Sequence, residues 1–254
     1  MTDPNPDPVT AALLVIGEEI LSGRTRDENI SYVAGHLTRV GISLREVRVV
    51  ADHEAEIVAA VNDLRRRFAY VFTTGGIGPT HDDITTDAIA KAFEVGVAVH
   101  EEAVAAMREH YRDTDITPAR LRMARVPDGA ELIHNAVSRA PGYMLENVIV
   151  MAGVPRIMQA MLDEVMPRLA KGPPIQARSV RVDVAEGEVA APLAALQSAH
   201  PDVKMGSYPF FERDRFGTYV VLRGADQARL AAALAGLWDL IAREGFSACA
   251  ADDE

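Results

Sequence analysis

The 254-residue chain has a single cysteine, Cys249, so neither an intrachain disulfide nor a cysteine-built metal site is open to it. Its seven histidines, at positions 36, 53, 81, 100, 110, 134 and 200, form no HxxxH or HExxH pair, which argues against a zinc centre. There is no GxSxG nucleophile elbow. No apolar run approaches the ~20 residues of a membrane span. The first residues, Met1 to Pro8, are acidic and proline-rich, without the basic start and apolar core of a signal peptide. Residues 1–9 therefore read as a disordered leader, no membrane partner is expected, and the expected location is the cytoplasm. Basic side chains are also scarce: 26 Lys and Arg face 37 Asp and Glu, a net charge of −11. Nucleic-acid backbones are held largely by basic side chains, so no nucleic-acid partner is expected. An acidic chain still binds a small phosphorylated ligand if backbone amides and a metal ion supply the attraction.

What is present is an alternation of strand and helix signals. Ala11–Ile16 is a continuous apolar run, the pattern of a buried parallel strand. Ile30, Val33, Leu37 and Val40 recur at helical spacing, and Gly41 is placed to stop that helix. A second strand is expected over Leu44–Val50, a helix over Glu54–Phe68 and a third strand over Ala69–Phe72. Helices follow near Ile84–Val95, Glu101–Tyr111 and Thr117–Arg125. A strand over Asn147–Met151 then leads into a periodic helix from Val154 to Leu169. Such alternation predicts an α/β fold, a three-layer α/β/α sandwich around a mostly parallel sheet. Lys171-Gly172-Pro173-Pro174 breaks the pattern and separates a domain over 10–172 from a small α+β unit over 173–249. That unit reads as βαββα, with residues 250–254 as a frayed acidic tail.

The chemistry concentrates in Thr73-Thr74-Gly75-Gly76-Ile77-Gly78-Pro79-Thr80-His81-Asp82-Asp83, between the third strand and the next helix. Amides at such a turn bind phosphate, and Gly75, Gly76 and Gly78 permit close approach. The spacing is neither GxGxxG nor GxxxxGK[ST], so neither a Rossmann cofactor site nor a P-loop is indicated. Glycines that welcome phosphate beside carboxylates that repel it make sense if a divalent cation lies between them. The plainer reading is a tight turn in which Asp82 or Asp83 caps the helix; one cap needs only one carboxylate. Asp52 follows the second strand, at the sheet edge where open α/β sheets bind ligands. It is either a second ligand for Mg²⁺ with Asp83 or the N-cap of the helix that starts at Glu54. Gly17 to Ser22 follow the first strand at the same edge, near Arg24, Asp27 and Asn29. Asp27 is most simply a helix cap. Arg139-Ala140-Pro141-Gly142 and Gly153-Val154-Pro155 are further turns, the second opening a helix whose amides offer another anion site.

Taken together these segments resemble a known family. Thr74-Gly75-Gly76-Ile77-Gly78-Pro79-Thr80-His81-Asp82-Asp83-Ile84-Thr85 is similar to the TGGxGPTxDDxT motif of the molybdopterin-binding fold. Ile16-Gly17-Glu18-Glu19-Ile20-Leu21-Ser22-Gly23, Val50-Ala51-Asp52, Ala140-Pro141-Gly142 and Gly153-Val154-Pro155 resemble the competence/damage-inducible protein A (CinA) branch. The small C-terminal unit is similar to the region that follows this domain in stand-alone members, and to the molybdopterin-binding-like half of FAD synthases.

The resemblance implies a pocket at the strand ends for a nucleotide diphosphate or pterin. It implies Asp83 and Asp52 as catalytic residues, with Asp82 joining them around Mg²⁺ or another divalent cation such as Co²⁺. Gly17, Ser22, Thr74, Gly75, Gly76, Gly78, Pro79, Thr80, Gly142, Gly153 and Pro155 would face substrate. A homo-oligomer is also expected. The implied reaction is pyrophosphate cleavage of ADP-ribose or FAD. The alternatives are molybdopterin binding, adenylyl transfer to it, or a non-catalytic oligomeric binding module. Three departures from the long CinA type are read: no amidohydrolase domain is expected, Ala152 and Ile157 stand for a proline and a glutamate of that pattern, and Arg120 stands for an asparagine. An RNA-binding reading of the C-terminal unit fails for want of a helix–loop GxxG clamp.

Overall fold

A computed structural model describes residues 9–111, 116–212 and 215–251. The chain divides into two compact units, the first ending at Gly172 and the second beginning at Pro173.

In the first unit β1 (Val9–Ile16) leads through a four-residue helix, α1 (Glu18–Leu21), to α2 (Asn29–Arg39) and β2 (Ile42–Val50). Then follow α3 (Glu54–Arg67), β3 (Tyr70–Thr74), α4 (Thr85–Phe93), β4 (Val97–Val99), α5 (Glu101–His110), α6 (Pro118–Arg122), β5 (Arg125–Pro127) and β6 (Glu131–Ile133). The unit closes with β7 (Gly142–Leu145), β8 (Val148–Met151) and α7 (Pro155–Val165), which runs on into a short 3₁₀ turn. Its main sheet has the order β2-β1-β3-β8-β7-β6. The β2-β1-β3-β8 strands are parallel, and β7 and β6 are added antiparallel.

Strand β1 shows why the sheet needs cover on both faces. Ala12, Leu14 and Ile16 pack with Ile57, Val61 and Leu64 of α3 and with Ala88 and Ile89 of α4. Alternate residues point to the opposite face, and there Ala11, Leu13 and Val15 are buried as well. Helices α2 and α7 bury Val33, Leu37, Met158, Leu162 and Val165 and belong to that second layer. The expected sandwich with a mostly parallel sheet is thus formed.

The second unit contains β9 (Gln176–Val182), α8 (Glu186–Ala199), β10 (Lys204–Glu212), β11 (Arg215–Gly224), α9 (Gln227–Glu244) and β12 (Ala248–Ala251). Its four-stranded sheet, β10-β11-β9-β12, is antiparallel throughout. The expected βαββα order is extended by β12. Ala250 and Ala251 pair with Val180 and Ser179 rather than fraying. The rest of the expected tail, 252–254, and positions 1–8 of the expected leader lie outside the described residues, while Val9 already belongs to β1. Three other expectations change. The helix expected over Thr117–Arg125 is confined to Pro118–Arg122, because Arg125–Pro127 pairs with β4. The helix expected from Ile84 begins at Thr85 and ends at Phe93, where Glu94 turns left-handed. Gly142, expected in a turn, starts a strand. No helix among the described residues is long and apolar enough to cross a membrane.

Candidate functional site

Chain order and sheet order reverse at β1. From β1 the chain moves outward to β2, then crosses back to β3 on the other side. Open α/β sheets hold ligands beyond the carboxyl ends of strands at such a point. A cleft of about 400 Å³ lies there, within the size range of small-molecule sites. It is lined by Ile16 from the end of β1, Asp52 beyond β2, Gly75 and Gly76 beyond β3, and Ala152 and Gly153 beyond β8.

The glycines let these strand ends close on one another. Gly75 has φ +105°, and a Cβ there would lie 2.1 Å from the Ile16 carbonyl oxygen. Its amide donates to the Met151 carbonyl at 3.1 Å. Gly153 packs on it from the other side: a Cβ on Gly153 would meet the Gly75 Cα at 3.2 Å. The side-chain amide of Asn29, buried at the start of α2, donates to the Gly153 carbonyl at 2.8 Å.

Glycine turn and helix are not contiguous, contrary to the simplest reading of the sequence. The stretch 77–84 makes an excursion, and Thr85 ties its two ends together. The Thr85 amide donates to the Gly76 carbonyl at 3.0 Å and its hydroxyl to the Gly75 carbonyl at 3.0 Å. Neither Asp82 nor Asp83 caps α4, whose N-cap is Ile84 without a side-chain bond. Asp83 instead accepts from the amide and hydroxyl of Thr80, at 2.8 and 2.5 Å, and so closes the excursion on itself. Asp82 is exposed at the cleft rim; the Thr80 hydroxyl and a backbone amide hold its carboxyl below the usual aspartate value.

Asp52 is not the cap of α3 either: His53 occupies that position without a side-chain bond. Asp52 reaches across to accept from the Glu18 amide at 2.9 Å, joining the loop after β2 to the loop after β1. Asp27 does act as expected, accepting from the Ile30 amide at 2.7 Å.

The expected catalytic and metal residues Asp52, Asp82 and Asp83 line the cleft, as do Gly75, Gly76, Gly78, Pro79 and Gly153 of those expected to face substrate. The others do not. The Gly17 amide is tied to the Val50 carbonyl. Ser22 ends α1 and bonds back to the Glu19 carbonyl. Thr74 is buried in β3. Thr80 supports Asp83 from behind. A Cβ on Gly142 would lie 2.4 Å from the Val150 carbonyl, so that glycine serves strand packing. Pro155 fills the first turn of α7. Nor do the three aspartates form a cage: among the described residues no group of three or more His, Cys, Asp or Glu side chains is placed to hold a metal ion.

Sequence reasoning missed several participants. Glu19 adds a carboxylate to the cleft. Asn135 clips the loop before β7, accepting from the Val137 and Ser138 amides at 3.1 and 2.8 Å and donating to the Ala140 carbonyl. That clip holds Ser138, Ala140 and Pro141 against the cleft, with Arg139 in a left-handed conformation at φ 59°. Arg122 approaches the Asp83 carbonyl from α6 at 3.4 Å. A polar side chain before a proline-containing turn was the only signal available for Asn135, and Arg122 gave none.

Comparisons with known proteins agree with this architecture. Residues 12–171 match the family described as "Probable molybdopterin binding domain", and residues 174–248 match "FAD synthase, middle domain". A protein of Pyrobaculum arsenaticum is 37% identical over 210 residues, covering 78% of this chain and 79% of that one. A protein of Thermococcus kodakarensis is 33% identical over 227 residues, covering 84% and 88%. Among solved structures, CinA from Thermoplasma acidophilum, a protein described as of unknown function, is similar with 34% identity and a TM-score of 0.60. That match covers 63% of this chain and 98% of the other.

Proposed function

Because the chain belongs to the molybdopterin-binding-domain family, in its CinA-like form, we propose that it is a divalent-metal-dependent pyrophosphatase acting on a nucleotide diphosphate such as ADP-ribose or FAD. The observation that carries the reading is the meeting of Asp52, just beyond β2, and Asp83, on the excursion that follows β3, in one cleft walled by close-packed glycine turns. Asp52 and Asp83 suit Mg²⁺, which is commonly held by one or two carboxylates together with substrate phosphates and water. When bound, such an ion neutralises phosphoryl oxygens and lowers the pKa of a water. Asp83 is the stronger metal candidate. Thr80 fixes its orientation through one carboxylate oxygen, Oδ2. Asp52 aligns the two loops as it accepts from Glu18. The amides around Gly75, Gly76 and Gly78 offer the phosphate cradle. The match of the second unit to a middle domain of FAD synthase supports including FAD among the substrates tested.

The expected result is release of AMP from ADP-ribose or FAD by the wild-type protein with Mg²⁺ or Co²⁺, detected by mass spectrometry. Asp83→Asn should reduce turnover by at least ~100-fold, the scale of losing a metal or electrostatic contact in a transition state, with an unchanged circular-dichroism spectrum. Equal turnover by the variant would remove Asp83 from the reaction.

A second reading has its own observation. Ala152 and Ile157 line the cleft where the long CinA pattern carries proline and glutamate. An apolar wall in place of a carboxylate suits a flat pterin ring, so the same cleft is a candidate molybdopterin site. Tight molybdopterin binding without release of AMP from either nucleotide would favour it.

A further inference from the structure

Beside the cleft lies a small pit, and we propose that it is an anion subsite in which Arg122 receives one phosphoryl oxygen of the substrate's diphosphate. The proposal rests on the nucleotide-diphosphate reading of the cleft and adds a residue to it. Pit and cleft share Ile77, Gly78, Asp83, Met123 and Pro141. The pit has a volume of about 10 Å³, space for one water or one oxygen of an anion.

Its walls hold donors that the protein itself leaves unused. Among the described residues the Nε of Arg122, shut off from solvent, has no hydrogen-bond partner, and its Nη2 makes only the long contact to the Asp83 carbonyl. A buried N–H without an acceptor is unfavourable, so the site favours a ligand that brings one. The Tyr143 hydroxyl, fully buried in the same wall, makes no hydrogen bond of standard geometry among the described residues, and Thr86 is the side chain placed to bond it. The pit's other cation is already committed: Arg125 donates to both oxygens of Asp87, at 3.1 and 2.6 Å.

Charge gives the ligand class. Glu19, Asp52, Asp82 and Asp83 bring four carboxylates to the cleft. A diphosphate there needs cationic partners to offset them, and a guanidinium is well shaped for phosphate oxygens. Gly78 leaves the shared wall bare; a Cβ on it would lie 2.6 Å from Asp83 Oδ2.

The test uses the full chain and a probe that need not react. In ¹⁵N spectra of arginine side chains, the Arg122 Nε–H resonance, assigned by its absence from Arg122→Lys, is expected to move on addition of ADP with Mg²⁺ and to stay in place with adenosine. Calorimetry should give ADP binding weakened roughly tenfold or more in Arg122→Gln and less in Arg122→Lys, with any adenosine binding unchanged. Should Arg122→Gln fail to fold, the lysine variant carries the comparison. An unmoved resonance, or variants that bind ADP as the wild type does, overturn the subsite. If the ADP effects appear but neither ADP-ribose nor FAD is cleaved, the hydrolase reading falls and the subsite stands. If the wild type binds neither ADP nor ADP-ribose, both fall.

Discussion

Gly75 and Gly129 have left-handed backbone angles in common, φ +105° and +81°, but not surroundings. A Cβ at Gly129 meets nothing within 4 Å, whereas one at Gly75 would lie 2.1 Å from the Ile16 carbonyl oxygen. Gly129→Ala should therefore cost about 1 kcal/mol, the backbone penalty alone. Gly75→Ala should cost about 3 kcal/mol or more, because backbone must also move. Urea denaturation of both variants measures the difference, and similar midpoints would show that the strand ends yield more easily than their packing suggests. Individual residues were unevenly legible in the sequence. Asp83 and Asp52 stood out because each follows a readable strand in a parallel sheet. Their actual partners did not, since Asp52 bonds to an amide 34 residues away. Arg122 was hidden for the same reason: nothing in Arg120-Leu121-Arg122 marks which arginine lines the pit beside the cleft. In the fold, Arg120 lies over the Tyr111 ring at 4.1 Å and Arg122 over the pit.

Strand β2 and helix α3 are held together by more than their apolar faces. Arg48 Nη2 donates to Glu46 at 2.6 Å and to Asp63 at 2.7 Å, while Arg67 reaches the same two carboxylates at 2.8 and 2.9 Å. Arg48, and then Arg67, hold the carboxyls of Glu46 and Asp63 below their ordinary values of 4.5 and 3.8. Groups lowered in the folded state bind fewer protons there than in the unfolded chain. Their stabilisation is fully present above the unfolded pKa values and is lost as pH falls through the lowered folded ones. Arg48→Met should thus be less stable than wild type near neutral pH, and the gap should close from about pH 4 downward. Added salt at neutral pH should narrow it as well. A gap of constant size from neutral pH to pH 2.5 would mean that Arg48 acts through packing. Elements, like residues, were legible where they were long. Strand β1 and helices α2, α3 and α7 carry long apolar periods, and the short strands β3 and β8 are wholly or mostly apolar runs. The strands β4 to β7 have three or four residues each, too few for a period to emerge. In β12, Ala-Cys-Ala-Ala has no strand preference of its own, and the pairing with β9 supplies one.

The two units build separate cores. Buried residues of the second run from Val180 to Ile241 and are drawn from β9, α8, β11, α9 and the turn before β10. The core around β1 and α3 runs from Ala12 to Val150. A core that draws only on its own segment is what an independently folding domain requires. The boundary at Gly172-Pro173-Pro174 was readable because two prolines end both helix and strand pairing. A chain cut after Gly172 is expected to unfold cooperatively in urea, and the complementary fragment from Pro173 onward should do the same with a smaller m-value, since it exposes less surface. The fragment from Pro173 should also depend on its last strand: removing residues from Ala248 onward bares the edge of β9 and uncovers Val180 and Val182, so its midpoint should fall while the first fragment is unaffected. If the first fragment keeps the ADP affinity of the full chain, the cleft is complete within it. A fragment that folds but has lost that affinity would assign part of the ligand site to the second unit.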